Sequence, residues 1–341
     1  MIVSVQILRA IAALMVVMHH IAIKGEQYHN GALSFFHIGQ FGVDLFFIIS
    51  GYIMCYTSDG VKYTFRQFII KRIKRIIPLY WVITTVALGI YIISPSMVNG
   101  ETSIISSWTL FPLGKKLLVN NGWTLSYEFV FYLIFASCLI IGCSGKRIIV
   151  TSLILLCLVL FGYFFQPVNP SLKFITNIIM LEFILGMLAF YILKHAAFSK
   201  IFCLTLFALG VILLIVQNKV GIYQGVAGRL AGGGVPMFLI FVGCVGLEKV
   251  IKNAHFLGKN ILVLIGETSY SLYLIHAFTL AAGAVILKKL HLAHYSLLFT
   301  LLLLLVSVIG GIVCWRFVES PLNSLLKSKK NKTKEKVIIV S

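Results

Sequence analysis

Long, continuous apolar runs constrain this chain more than any other feature. Each run is about twenty residues long, the length at which a helix crosses the hydrocarbon core of a bilayer. Strands of a membrane β-barrel alternate polar and apolar residues, and these runs do not alternate. Hydrophobic residues make up 60% of the chain and charged residues 11%, against roughly 25% charged residues in soluble proteins. The predicted fold class is all-α, a polytopic membrane protein with about ten transmembrane helices.

The apolar runs predict ten membrane spans and a single domain. The predicted spans are residues 3–23, 39–57, 76–94, 122–142, 148–165, 174–193, 201–217, 230–247, 261–286 and 295–317. No connection between them is long enough to fold alone. We therefore assign residues 1–320 to one transmembrane domain and residues 321–341 to a short basic cytoplasmic tail.

Basic residues are divided unevenly between the two sets of connections. If the N-terminus lies inside, most of the 29 Lys and Arg residues fall in the inner connections, as the positive-inside rule requires. An even number of spans then places both the N-terminus and the C-terminus in the cytoplasm. Because a basic inner face next to anionic lipids accounts for the net charge of +19, we expect membrane lipids and no nucleic acid as partners.

The first span carries an arginine near its inner end and a histidine near its outer end. Arg9 and His20 are eleven residues apart, so at about 100° per residue they lie on one helix face, roughly 16 Å apart along the axis. His19 points away from that line. We expect Arg9 and His20 to line one cavity through the membrane. The alternative is that each side chain extends separately to its nearest headgroup layer.

Three further ionisable residues are predicted near the outer half of the spans, where such groups suggest function by default. Asp44 lies in FGVDLFF, Glu128 in WTLSYEFVFY and His276 in SYSLYLIH. Asp44 could instead cap the second helix, and His276 could be a core histidine bonded to the helix backbone. Glu128 could hold an imidazole in one tautomer and raise its basicity. Glu182 is expected to be a structural partner for a cation of the inner layer.

A basic stretch, KRIKRIIPLYW, precedes the predicted span 76–94. Arg72 and Arg75 are three residues apart and share a helix face, where two guanidinium groups suit the phosphates of a ligand. The alternative is ordinary positive-inside charge. Pro78 fits a position near the beginning of a helix.

Residue chemistry alone leaves two classes of function open. One is an enzyme that brings a phosphate-bearing donor from the cytoplasm to an acceptor outside, and the other is a transporter that relays protons through histidines and carboxylates. Transporters commonly contain inverted repeats and broken helices in matching halves, which this sequence does not clearly show, so the enzyme is favoured. The seven cysteines lack metal-site spacing, and we predict no metal centre.

Several motifs, in order along the chain, resemble those of the acyltransferase-3 family of membrane acyltransferases. The resemblance extends over nearly the whole chain and rests on the pair Arg9 and His20, FGVDLFFIISGYIM, RIKRIIPLYW, WTLSYEFVFY, SYSLYLIH, and FVESP with Glu319. It implies a ten-helix enzyme of the bacterial cytoplasmic (inner) membrane. Such an enzyme transfers an acyl group, usually acetyl, from cytoplasmic acyl-CoA to a hydroxyl of an envelope polysaccharide or its lipid-linked precursor, such as an O-antigen or exopolysaccharide. The short tail resembles the stand-alone type, without an added extracytoplasmic domain.

The resemblance also implies roles for individual residues. His20 acts as a general base or as a transient acyl carrier, and acetyl-CoA is the co-substrate. The predicted catalytic residues are His20, Glu128, Asp44 and His276, and the predicted donor-binding residues are Arg9, Arg72, Arg75, Lys71 and Tyr80.

Overall fold

The computed structural model describes residues 2–28, 31–94, 101–221 and 226–326, so most of the predicted tail lies outside the described residues. Within these ranges the secondary structure is helical, apart from one isolated bridge between Thr102 and Lys116. Nine described helices are long and apolar enough to cross a membrane, and Leu230–Gly246 is a shorter apolar helix. The all-α, polytopic fold class is therefore confirmed.

The described residues contain ten apolar helices that form the bundle, and the longest connection, residues 94–122, separates the third from the fourth. They are α1 Val3–Gln27, α2 Gly42–Ser58, α3 Phe65–Ile93, α4 Trp123–Ser137, α5 Ser144–Phe165, α6 Leu181–His195, α7 Lys200–Val220, α8 Val235–Gly246, α9 Ser269–Lys289 and α10 Ser296–Cys314. A π-helical turn, Leu230–Gly234, begins the apolar helix that α8 continues. We call the end of the bundle that carries Arg72 and Lys194 the basic end.

Helices α1 and α2 form the centre of the bundle. α2 packs along α6 at a small-residue contact, where a Cβ added to Gly51 would collide with the carbonyl of Phe183. Close backbone approach of this kind is how membrane helices gain packing energy, because lipid removes the hydrophobic drive between them. At the basic end, the Glu248 carboxylate accepts the backbone N–H groups of Val3 and Ser4, which satisfies the first turn of α1.

The predicted single span 261–286 is wrong, because the structure divides it at Thr268. Residues Lys259–Glu267 form one helix, and α9 begins at Ser269. Gly266 packs against the backbone of Gln6 so closely that no Cβ fits there. The helix Lys259–Glu267 therefore lies along α1, and α9 turns away from it to cross the bundle.

Helix α3 begins eleven residues before the predicted span 76–94. Thr64 caps it by a capping box, in which Thr64 Oγ1 accepts the Gln67 N–H and Gln67 Oε1 accepts the Thr64 N–H. Pro78 therefore lies inside the helix, and its predicted place near a helix beginning is wrong. Arg72 and Arg75 are held on a continuous helix and not on a flexible connection.

Candidate active site

A cavity of about 330 Å³ lies among α1, α2, α3, α4 and α9. Its volume is within the range of pockets that hold small-molecule ligands and cofactors. The polar side chains in its lining include Arg9, Arg72, Arg75, Glu128 and Tyr132. Arg72 and Arg75 on α3 and Arg9 on α1 were all predicted to bind the donor, and they meet at this cavity.

Positive charge exceeds negative charge along the lining of this cavity. The guanidinium of Arg72 lies 5.3 Å from the centre of the Phe68 ring, and its buried Nε has no hydrogen-bond partner. Arg75 is exposed, and Arg9 is half-buried. Glu128 is the carboxylate among the described lining residues. Such an arrangement favours an anionic ligand, because guanidinium groups bind phosphate and carboxylate oxygens with charge-assisted hydrogen bonds.

Glu128 belongs to this arginine cluster and not to an imidazole, which corrects the predicted role. Its Oε2 accepts a hydrogen bond from Tyr132 at 2.8 Å, and the charges of Arg75, Arg9 and Arg72 act on it. The position of Glu128 along α4 places it in the same cavity lining as Arg9, which no motif in the sequence indicates.

A second carboxylate, Glu319, acts on the same cluster from behind the cavity. The π-helical turn Trp315–Glu319 directs it to accept a hydrogen bond from Ser271. Its charge lies within electrostatic range of Arg75 and Arg9. Single π-helical turns are frequent at functional sites, and this one brings Glu319 of FVESP into contact with Ser271 of SYSLYLIH.

Lys71 and Tyr80 do not reach the cavity, so the structure does not support their predicted part in donor binding. The Lys71 ammonium donates to the Tyr63 hydroxyl at 2.9 Å and lies over the same ring. Tyr80 is fully buried and packs against Gly122.

Two imidazoles meet on the opposite side of the bundle from the basic end. His20 Nδ1 lies 2.9 Å from the carbonyl oxygen of Val16 and 3.3 Å from His276 Nε2. His276 is fully buried, and its Nδ1 lies 3.3 Å from the carbonyl oxygen of Leu272. The predicted alternative for His276, a bond to its own helix backbone, is therefore present together with a contact to His20.

The carbonyl contacts assign the hydrogen on each ring. A carbonyl oxygen only accepts, so Nδ1 carries the hydrogen in both His20 and His276. No described carboxylate forms an ion pair with either ring, and a charged imidazole at this depth would lack a counter-charge, so we assign both as neutral. His276 Nε2 then accepts from His20 Nδ1, and His20 Nε2 keeps a free lone pair.

The cavity stops before the imidazole pair, about one helical turn away along α9 and about three turns away along α1, so the expectation that Arg9 and His20 line one cavity is wrong for this conformation. Arg9 is the last residue of α1 in the lining, and Tyr273 is the last residue of α9. The Tyr273 ring lies 5.8 Å from that of Phe46 and 5.8 Å from that of His276. Phe46 and Tyr273 thus form a partition between the cavity and the imidazoles.

Asp44 forms a buried ion pair and lies outside the lining of the cavity, so its predicted catalytic role has no support from the geometry. It is fully buried, and Arg229 donates to its two oxygens at 3.2 Å and 2.8 Å. Glu182 Oε1 lies 3.9 Å from Arg229 Nε, so Glu182 is not the partner of an inner cation. Sequence reasoning missed Arg229, although it is the one arginine among the basic residues of the predicted outer connections.

A family model and several curated proteins match this sequence. A family model described as an acyltransferase domain matches residues 2–316. The exopolysaccharide production protein ExoZ of Rhizobium meliloti (strain 1021) is 30% identical over 303 residues, covering 84% of this chain and 90% of its own length. The O-acetyltransferase OatA of Staphylococcus aureus (strain MRSA252) is 24% identical, covering 98% of this chain and 60% of its own length. The putative peptidoglycan O-acetyltransferase YrhL of Bacillus subtilis (strain 168) is 26% identical, over 47% of this chain and 28% of its own length. No solved structure matches the chain.

Proposed function

Because the chain belongs to the acyltransferase-3 family, we propose that it transfers an acyl group, most simply acetyl, from acyl-CoA to a hydroxyl of an envelope polysaccharide or its lipid-linked precursor. The printed names of the relatives, one an exopolysaccharide production protein and two O-acetyltransferases, support a polysaccharide acceptor. The site lies within a multi-pass helical bundle, and we place that bundle in the bacterial inner membrane with its basic end in the cytoplasm.

The observation that carries the proposal is that the arginine-lined cavity ends at Tyr273, whose ring lies 5.8 Å from that of His276 in the imidazole pair. Arg9, Arg72 and Arg75 would bind the phosphates of acyl-CoA at the basic end. The pantetheine arm would then extend along the cavity toward Tyr273, with the thioester leading. For the thioester to meet His20, the partition of Phe46 and Tyr273 must open when the donor binds.

The chemistry requires one lone pair on His20, and Nε2 supplies it. As a general base, Nε2 takes the proton of the acceptor hydroxyl while that oxygen attacks the thioester carbonyl carbon. The C–S bond breaks, the ester forms, and the CoA sulfur receives the proton from His20. As an acyl carrier, Nε2 attacks the carbonyl carbon first, the C–S bond breaks, and CoA leaves as the thiolate, which balances the positive charge of the acylated ring. The acceptor hydroxyl then attacks the acyl carbon, the C–N bond breaks, and the hydroxyl proton passes to the thiolate. Both routes use the same atom.

The proposal is tested with the purified full chain in nanodiscs, radiolabelled acetyl-CoA and polysaccharide from the host. Label should move to the polysaccharide without any ion gradient, which also separates the enzyme from a proton-coupled transporter. Mass spectra of the glycan from cells with and without the gene should differ by acetyl groups at a fixed position in the repeat. Unchanged glycan, together with no label transfer, would remove the proposed function.

Label retained on the protein without acceptor separates the two routes. If wild-type protein holds acetyl that His20→Ala does not, the acyl-carrier route is supported. If neither holds it while wild-type protein still acetylates the glycan, His20 acts as the base.

A further inference from the structure

We propose that Asn121 is a positioning residue that fixes the tautomer of His276 and, through it, the reactive nitrogen of His20. The kinetic test of this inference rests on the proposed function. A second test, by chemical modification of His20, does not depend on it. Asn121 lies in the 3₁₀ turn Asn120–Gly122, immediately before α4, and is 5% exposed.

The side-chain amide of Asn121 faces α9 at two points. Its Nδ2 donates to the carbonyl oxygen of Tyr273 at 3.2 Å, and the same nitrogen lies 3.4 Å from His276 Nε2. The backbone carbonyl of Asn121 accepts a hydrogen bond from Thr124 Oγ1 at 3.0 Å, which ties the turn to the first turn of α4. The residue is therefore held by its backbone while both amide hydrogens are available to α9.

The contact with Tyr273 fixes which end of the amide faces α9. A carbonyl oxygen accepts hydrogen bonds and cannot donate, so the amide nitrogen, and not the amide oxygen, must face it. The NH₂ group has two hydrogens, and the second points to His276 Nε2. That hydrogen can bind Nε2 only if Nε2 carries a lone pair.

Three independent contacts then require the same arrangement of hydrogens. The carbonyl of Leu272 requires a hydrogen on His276 Nδ1, and the amide of Asn121 requires a lone pair on His276 Nε2. The one lone pair of His276 Nε2 is shared between the Asn121 amide at 3.4 Å and the hydrogen of His20 Nδ1 at 3.3 Å. That hydrogen is in turn shared with the carbonyl of Val16 at 2.9 Å. The opposite tautomer of His20 would place its hydrogen on Nε2 and remove the base.

This chain of contacts differs from the carboxylate–histidine arrangement common in hydrolases, because each member is neutral. An asparagine also completes the Cys-His-Asn arrangement of papain-like proteases, where it orients an imidazole without adding charge. A neutral partner suits a buried position, since a carboxylate beside His276 would have to be desolvated within the membrane. Asn121 and His276 are 155 residues apart in sequence, so only the fold brings them together.

The kinetic test compares Asn121→Ala with Asn120→Ala, a matched control at the adjacent, exposed asparagine. Loss of one hydrogen bond should lower kcat about tenfold in Asn121→Ala, with the KM for acetyl-CoA unchanged within about twofold. The same substitution should have no further effect in a His276→Ala background, because Asn121 acts through His276. Additive losses, or a changed KM with an unchanged kcat, would overturn the proposal.

The chemical test measures how fast diethyl pyrocarbonate modifies His20, followed by mass spectrometry of purified protein in nanodiscs. The reagent attacks a ring nitrogen with a free lone pair, so modification of His20 should slow several-fold in Asn121→Ala and remain at the wild-type rate in Asn120→Ala. Equal rates in all three proteins would overturn the proposal. If wild-type protein transfers no acetyl, the proposed function fails, and the modification rates still decide the role of Asn121.

Asn121→Asp keeps the size of the side chain and removes both N–H groups, so it serves if Asn121→Ala does not accumulate in the membrane. We expect it to lower kcat and the modification rate of His20 at least as much as alanine does. Wild-type values for both in Asn121→Asp would show that the amide hydrogens have no role.

Discussion

Arg9 and His20 lie on one face of one helix, yet their surroundings are opposite in character. Arg9 lies among charged groups beside a cavity that exposed Arg75 also lines. His20 lies among neutral groups, where a carbonyl oxygen and His276 set the position of its hydrogen. The difference teaches that the basic end is built to attract an anion, whereas the imidazole end is built to hold one proton-accepting atom in place.

The largest effect should follow loss of the imidazole itself. His20→Ala should lower kcat by about 10² to 10⁴, because general-base or covalent assistance disappears, while the protein still accumulates in the membrane. The adjacent His19→Ala is the matched control and should be mild, since the ring that lies 4.9 Å from that of His276 is that of His20. Both variants are measured by label transfer from acetyl-CoA at saturating donor. Full activity of His20→Ala would contradict the assignment of the site.

The next effect should appear at the basic end and in a different kinetic constant. Arg75→Ala should raise the KM for acetyl-CoA about ten- to a hundredfold, since a charge-assisted hydrogen bond contributes about 1.5–3 kcal/mol. The KM for the acceptor should stay the same. Steady-state kinetics with each substrate varied in turn checks this. If Arg75→Ala changes the acceptor KM instead, the two regions do not divide the substrates as proposed.

The membrane spans were predictable because each apolar run must satisfy its own backbone hydrogen bonds as a helix. Helical periodicity also placed Arg9 with His20 and Arg72 with Arg75, since both pairs depend on spacing within a single element. The break at Thr268 was not predictable. It follows from the close packing of two helices, which local sequence does not record.

The partners of the site residues could not be read from the sequence, because they lie on different elements. Asp44 and Arg229 are 185 residues apart, and the ion pair between them favours a structural part for Asp44 over the predicted catalytic one. Glu128 was predicted beside an imidazole, but its depth in the bundle places it among the arginines. Asn121 belongs to none of the quoted motifs, and only its distance to His276 identifies it.

Asp44→Asn should affect stability more than catalysis, which sharpens the contrast with the active site. Removing one charge from the buried pair with Arg229 should lower the free energy of unfolding by about 1–3 kcal/mol. Activity per folded molecule should change less than about threefold. Thermal unfolding of the purified protein and label transfer, both normalised to folded protein, check this. A loss of kcat as large as that of His20→Ala, at unchanged stability, would show that Asp44 takes part in catalysis.

The smallest effect should come from a basic residue that lies at the same end as Arg75 but outside the cavity. Lys194 pairs with Asp59 at 2.7 Å, and its hydrogen bond lowers the pKa of the Asp59 carboxyl below its ordinary value. This pair is partly exposed, so Lys194→Ala should cost less than about 1 kcal/mol of stability. The pair contributes to the free energy of unfolding at pH values above the ordinary pKa of an aspartate, and this contribution is lost as the pH falls through the lowered pKa of Asp59. The stabilities of the wild-type protein and of Lys194→Ala should therefore converge in acid.

Lys194→Ala also tests whether the cavity or diffuse positive charge binds the donor. If the cavity geometry binds acyl-CoA, this variant should keep the wild-type KM for acetyl-CoA while Arg75→Ala does not. Equal increases in KM for the two variants, both abolished by about 1 M salt, would mean that the basic end acts through its summed charge. The three guanidinium groups would then have no more specific part in binding than any other cation on that face.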